Sequence, residues 1–516
     1  MIQRTIYLNT QPSSQARKFV AQKNFEVLTP VQLAAKALGV RKRSLSDIAQ
    51  QLLQKQGVQF ASPLIAQQTL HQVIAQTTAL DAEGTTRAIF PTIKALLQTT
   101  PTLEILNSVQ SPCIQRLFQY AWAYSAELRL KGCIDSSESL WRAAELQPQR
   151  RRVLMYGYFC PRWDELALLD AIADDGSIFF LPLQDHYLFT ENKAAVEWLQ
   201  QRGWQIKNIP SQPETIGEIL AAKFISPVIK IPEIQAYRYP HLEAEVRGVL
   251  AQVKQLMSAG VPAKDIVLVT RNETTYGPLL LDVAWEYQLP LRALYDVPFT
   301  STRLGAWLDS LVDVIQAEFP FEDTAKLFSH PLCTNPSQGC WAKARAFHPV
   351  GFTKWQQFVA EFLEMDLSLL KCPSQMRRDE WVARWKQILK LFDLRRRSAR
   401  WAKEAVAFNR FDQELKQLSQ PEEEVLTWEA FAQSLKAYLE ILNVPVHPGR
   451  GGVELHSPAS VMGARYRYMF VLGMAEGVLP APVKNDPVLD FYERKQLPER
   501  AYPEVRGVLL SGERLI

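Results

Sequence analysis

Two rhythms of apolar residues alternate along this chain. The first is a set of short unbroken runs: Thr5–Leu8, Val27–Leu28, Val153–Phe159, Ile178–Leu181, Asp265–Arg271 and Met469–Leu472, the last following a shorter run at Val453 and Leu455. The runs are bounded by polar or glycine punctuation. None alternates with polar residues, so the pattern predicts buried strands of parallel sheets covered on both faces. The second rhythm fills residues 44–146 and 301–449, where apolar side chains recur three and four apart. Ile48, Leu52 and Leu53 trace one helix face, as do Leu64, Ile65, Leu70, Val73 and Ile74. Ile114, Leu117, Phe118, Ala121, Trp122 and Leu128 trace another, and Ser44 or Ser46 is placed to cap the first helix. The expected fold is α/β with parallel sheets, interrupted by two large α-helical insertions.

The same pattern sets boundaries. Residues 1–225 form one strand-and-helix domain carrying the insertion 44–146. Residues 226–516 form a second, carrying the insertion 301–449. Helices are predicted from Pro161, over Ala194–Leu199, over His241–Leu250 and over Tyr276–Tyr287. Asn208–Pro232 reads as a proline-punctuated linker, Ile234–Tyr239 as the opening strand of the second domain, and Leu289–Leu294 as a short strand.

Three segments carry a resemblance. Asp265–Arg271 is a strand ending in Arg, followed by a long helical stretch. The chain then resumes with Val453–Leu455, a Ser457–Gly463 turn, the Met469–Leu472 strand, and Gly473-Met474-Ala475-Glu476-Gly477-Val478-Leu479-Pro480. This order is similar to the second motor domain of UvrD-like (superfamily-one) helicases. It most resembles the B subunit of AddAB/RexAB-type helicase–nucleases, whose second domain resumes after its helical insertion as strand, Ser/Thr–small–Gly turn, strand and Gly-x-x-Glu-Gly-x-x-Pro. The resemblance implies two RecA-like domains of P-loop-NTPase type, a role in double-strand-break repair and recombination, DNA as ligand, and a helicase or nuclease subunit as partner.

The departures from that family are as informative. A nucleotide-binding motor carries Gly-x-x-x-x-Gly-Lys-Ser/Thr after its first strand, where backbone N–H groups and a lysine cradle phosphate. Here the stretch is Asn9-Thr10-Gln11-Pro12-Ser13-Ser14-Gln15-Ala16-Arg17-Lys18, without glycine. Asp164-Glu165, the nearest acidic pair, opens a helix, where it suits the macrodipole better than Mg²⁺. Where active relatives carry an acid after the Gly463 turn, this chain has Arg465 and Arg467. No catalytic residue is therefore assigned, and neither ATP nor Mg²⁺ is expected as a cofactor. The arginine-finger motif and the nuclease Asp…Glu-x-Lys signature would lie beyond Ile516, so a shortened paralogue, a split gene or a truncated reading frame is expected.

Composition narrows the classes further. The 516 residues are 47% hydrophobic and 22% charged, ordinary for folded domains. No run is long enough to cross a membrane, and residues 1–8 lack the features of a signal peptide, so a cytoplasmic protein is expected. The six cysteines (113, 133, 160, 333, 340 and 372) are scattered, without Cys-x-x-Cys or zinc spacing. They read as reduced structural thiols, and no metal ligand or iron–sulfur pattern is assigned.

Charge is concentrated. The chain carries a net +4, yet between Met376 and Arg410 eleven basic residues face four acidic ones, a local +7 that leaves the remainder at −3. Trp381 and Trp385 lie four apart within this stretch, as one helix face would place them. Stacking aromatics among phosphate-binding cations is how sequence-independent single-strand sites work; tryptophans in a core beneath a solvated basic face are the alternative. The candidate DNA-binding residues are Arg271, Arg384, Arg395, Arg396, Arg397, Arg400, Lys403, Arg465 and Arg467. Three functions follow: an inactivated helicase-like DNA-binding subunit, an active ATP-dependent helicase or exonuclease subunit, and a helical scaffold that binds protein only.

Overall fold

A computed structural model describes residues 3–8, 13–22, 24–77, 81–99, 111–186, 189–208, 216–222, 234–333, 339–419, 424–447, 451–479 and 488–489. The chain divides into two compact units. One comprises Met1–Ala61, Ala66–Pro290 and Val453–Ile516; the other comprises Ser62–Ile65 and Leu291–Gly452. The fold is mixed α/β with parallel sheets, as the unbroken apolar runs require.

The first sheet begins with β1 (Thr5–Leu8), α1 (Ser13–Val20), β2 (Glu26–Leu28) and α2 (Gln32–Leu38). The first helical stretch follows: α3 (Leu45–Lys55), α4 (Pro63–Thr77), α5 (Ala82–Thr99), α6 (Pro112–Leu130) and α7 (Ser139–Glu145). Two short strands, β3 (Gln59–Phe60) and β4 (Cys133–Ile134), pair in parallel within it. Ser44 caps α3 in a capping box: its hydroxyl accepts from Asp47 N–H, and Asp47 accepts in return from Ser44 N–H. The sheet then resumes with β5 (Val153–Met155), α8 (Trp163–Ile172), β6 (Ile178–Leu181), α9 (Thr190–Gln200) and β7 (Gln205–Asn208). Its order is β2-β5-β6-β1-β7, with every pairing parallel. Ile6, Leu28, Val153, Met155, Phe179 and Leu181 meet Leu166, Leu169 and Leu199 in its core. The β5 run stops four residues short of Phe159, because Gly157 turns the chain at φ +89°. Strand β7 has no counterpart in the apolar pattern: three of its four residues are polar and exposed, as an edge strand allows.

Helix α10 (Ile216–Ala222) falls inside the expected linker; residues 209–215 and 223–233 lie outside the described residues. Residues 234–239 do not form the expected opening strand. They are exposed apart from the half-buried Tyr239, with Ile234 and Tyr237 open to solvent, so the apolar residues there find no sheet to join. The second sheet starts instead at β8 (Ile266–Thr270), after α11 (Leu242–Ser258), and α12 (Glu273–Glu286) follows it. After the second unit the chain returns as β14 (Val453–His456) and β15 (Tyr468–Leu472). Both strands pair with β8 in parallel: Leu455 opposes Leu268 and Phe470 opposes the same residue from the other side. Val453 N–H donates to Pro290 C=O at 2.7 Å, joining the two points where the chain leaves and re-enters this unit. Strand β8 is buried throughout, but β15 is not. It is the sheet's terminal strand, and Met469 and Val471 are exposed, so two-sided cover was a wrong expectation there.

The second unit is helical. It opens with β9 (Leu291–Ala293) and β10 (Asp296–Pro298), then α13 (Arg303–Gln316), α14 (Phe321–Ser329), α15 (Cys340–Phe347) and α16 (Phe352–Phe362). Strand β11 (Gln375–Arg377), α17 (Arg378–Leu391), α18 (Leu394–Ser398), α19 (Ala402–Leu415), β12 (Val425–Thr427), α20 (Trp428–Ile441) and β13 (Asn443–Pro445) complete it. Antiparallel pairs β10–β13 and β11–β12 brace the helices. One aromatic core fills the unit, with Trp307, Trp355, Trp381, Trp385 and Phe328 all buried.

Candidate functional site

The quoted motif residues gather at one edge of the second sheet, because parallel strands end together. Glu454 and His456 are two apart on β14 and so share a face. The His456 ring is 5% exposed, with Nδ1 3.2 Å from Ser460 Oγ and Nε2 3.3 Å from Glu454 Oε2. The Tyr466 hydroxyl donates to the same carboxylate oxygen at 3.2 Å. The hydrogen bond from His456 holds the Glu454 carboxyl below its usual range, while burial and that carboxylate push the Tyr466 phenol up. At the end of β8, Arg271 is exposed and Asn272 caps α12 by accepting from Thr275 N–H. After β15, Gly473 (φ +75°) donates its N–H to Glu245 Oε1 at 2.8 Å, and Tyr276 donates to the other oxygen at 2.7 Å. Glu243, its neighbour in the Glu-x-Glu pattern, pairs instead with Arg247 at 2.8 Å. Glu245 is thus a brace for the Gly473 loop. Pro480 lies outside the described residues.

The turn between β14 and β15 reaches the first sheet. Gly463 sits at φ +71°, and a Cβ there would lie 3.1 Å from both Ala34 Cβ and Tyr156 Cε1. Tyr156 donates to Gly463 C=O at 3.5 Å, and the Lys36 ammonium lies 5.7 Å over the Tyr466 ring. Arg465 and Arg467 flank this contact and are exposed; Arg467 lies 5.5 Å over the Tyr468 ring.

Among the described residues, the groups beside the first sheet that could serve a nucleotide are Lys18, Asp164 and Glu165. Residues 9–12 lie outside the described residues, but Lys18 is exposed in the last turn of α1. A phosphate-gripping lysine belongs at the opposite end, beside the free N–H groups. Asp164 is buried and paired with Arg162 at 2.9 Å, and Glu165 closes a capping box on Arg162 N–H at 2.9 Å. Burial pushes both carboxyls up, with Arg162 opposing. These acids stabilise the start of α8.

The basic segment, in the second unit, divides by role. Trp381 and Trp385 are fully buried and stack on Phe431 and Trp428, so neither is available to a base. Arg384 donates to three carbonyls, those of Leu369, Ser368 and Lys371, and fastens that turn. Arg397 and Lys403 are half-buried; Arg396 is exposed and paired with Asp393. Arg395 and Arg400 are exposed and, among the described residues, have no ion-pair partner. Two residues that sequence reasoning did not single out are tied to this segment, Arg303 at its surface and Glu404 beneath it. The Arg303 guanidinium lies 4.3 Å over the Trp401 ring. The buried Glu404 carboxylate accepts from the N–H groups of Arg303 at 3.1 Å and Leu304 at 2.9 Å, at the start of α13. No pattern in the chain links positions a hundred residues apart.

Among the described residues, no group of three or more His, Cys, Asp or Glu could hold a metal, and no helix is long and apolar enough to cross a membrane. Among the described residues no disulfide joins the six cysteines; Cys133, Cys333 and Cys340 are buried. No protein-family model matches the chain, and no curated protein matches it.

Proposed function

We propose that this chain is an inactivated, helicase-like DNA-binding subunit. In this reading it comprises two RecA-like domains and works beside a helicase or nuclease partner in break repair and recombination. One observation supports it most: the three segments carrying the helicase-like sequence lie side by side in one parallel sheet, β15-β8-β14. Their ends bring Arg271, the Ser457–Gly463 turn and the Gly473 loop to one edge, where open α/β sheets bind ligands. Lys18 at the wrong end of α1, and Asp164 paired with Arg162, favour a subunit that grips DNA without turning over ATP. The exposed arginines of the 395–400 stretch supply sequence-independent phosphate contacts.

The test is single-stranded DNA binding by the full chain across a salt series, with ATP turnover measured in parallel. Arg395→Ala, Arg396→Ala and Arg400→Ala combined are expected to weaken binding. They should also flatten the slope of log affinity against log salt, by up to about 0.7 per lost phosphate contact. Arg397 is left in place because it is half-buried. Unchanged affinity and slope would remove this segment from the interface. DNA-stimulated ATP hydrolysis abolished by Lys18→Ala would favour an active motor instead.

A further inference from the structure

A basic surface attracts any polyanion, so phosphate contacts alone do not say whether bases are read. The second unit holds a group that makes the distinction. Arg303 is exposed at the start of α13, and its guanidinium lies 4.3 Å over the ring of Trp401. The indole is half-buried and packs against the aromatic core on its inner side. Its backbone N–H donates to Ser398 C=O at 3.1 Å, which fixes the loop between α18 and α19. The guanidinium therefore has a rigid aromatic plane behind it and solvent in front. Arg400 and Lys403 flank Trp401 in the chain. The Glu404 carboxylate is turned inward onto the backbone N–H groups of Arg303 and Leu304. His330 also faces this cluster; burial and Arg303 hold its imidazole below its ordinary pKa, so it adds little positive charge near neutrality.

Arginine planes are a recurrent surface for stacking unpaired bases, and the ring quadrupole attracts a cation placed over an aromatic face. We infer that Arg303, backed by Trp401, is a base-stacking platform for a single-stranded nucleic acid whose phosphates run along Arg395, Arg400 and Lys403. This rests on the DNA-binding reading above and adds to it that the strand is bound by its bases as well as its charge. A bound base would complete a three-layer stack of base, guanidinium and indole.

Lysine separates the two contributions, because it keeps the charge and lacks the plane. The experiment compares labelled oligo-dT with an abasic strand of equal length, using the full chain, wild type and Arg303→Lys, at several salt concentrations. Wild type is expected to prefer oligo-dT. Arg303→Lys is expected to lower oligo-dT affinity by roughly tenfold, within the range of one lost base stack, with an unchanged salt slope and unchanged abasic binding. Trp401→Leu, which removes the backing plane but keeps apolar volume, should shift the preference the same way. Circular dichroism of each variant reports folding. Equal oligo-dT binding by wild type and a folded Arg303→Lys overturns the platform while leaving the DNA-binding reading intact. An equal loss on both strands also overturns it, by showing an electrostatic role only. If wild type binds neither strand at any salt, the DNA-binding reading falls and the platform with it.

Discussion

The contact between the Gly463 turn and the first sheet can be weighed by a pair of glycine substitutions. Gly463 and Gly39 have almost the same left-handed backbone, φ +71° and +72°. A Cβ at Gly39, which ends α2, meets nothing within 4 Å; a Cβ at Gly463 meets Ala34 Cβ and Tyr156 Cε1 at 3.1 Å. Left-handed backbone costs an L-residue about 1–2 kcal/mol. Part of that is offset because alanine restricts the unfolded chain, by about 0.4–1 kcal/mol. Gly39→Ala should therefore destabilise by roughly 1 kcal/mol. Gly463→Ala carries the same strain plus overpacking against a helix and a ring, about 1–3 kcal/mol more. Because backbone strain is common to both, the difference between them isolates the steric contact. Urea unfolding followed by far-UV circular dichroism gives the two losses. Hydrogen exchange over residues 30–38 and 457–467 locates them. Gly463→Ala should speed exchange in both segments, whereas Gly39→Ala should act on the first alone. Equal effects of the two substitutions would mean that the turn does not press on the first sheet, and the argument would fail.

Two further outcomes follow from carboxylates, the buried Glu404 and the half-buried Glu454. Glu404→Gln removes the charge that serves two N–H groups at the start of α13, and should cost about 1.5–3 kcal/mol, read as a lowered midpoint of thermal unfolding; an unchanged midpoint would show that water replaces the carboxylate freely. Glu454 has its carboxyl held below the ordinary 4.5 by His456, so its stabilisation is present above that value and is lost as pH falls through the folded-state pKa. Glu454→Gln should accordingly be less stable than wild type at pH 7, with the gap closing below about pH 4.5; a gap that stays constant with pH would separate Glu454 from any charge-dependent role.

Strands and helices were legible where one physical cause dominates. The unbroken run Ile266–Thr270 is a strand buried along its whole length, and Ser44, one of two serines placed to cap, opens α3. Failures came where the environment decides. Ile234–Tyr239 has apolar content but no partner strand, and β7 is polar yet pairs with β1 because an edge strand needs only backbone. Tryptophan is equally suited to a core and to a base stack, so spacing alone could not place Trp381 and Trp385 inside. Arginine shows the same limit: Arg384 fastens a turn, while Arg400 faces solvent. Arg303 and Glu404 were unreadable for a different reason, since their roles arise from long-range packing of α13 against the loop before α19.

The hydrogen bond from Val453 to Pro290 bears on the order in which the molecule assembles. Strands β8 and β14 are neighbours in the sheet but are separated in the chain by residues 291–452. Closing a loop costs entropy that rises by about 0.6 kcal/mol per doubling of its length, so pairing these strands across an unstructured intervening chain would be slow. The second unit has its own aromatic core, and if it folds first, Pro290 and Val453 at its two ends are brought within reach of their hydrogen bond. A remote pairing then becomes a local one. Residues 291–452 would then act as a splint for the pairing of β8 with β14.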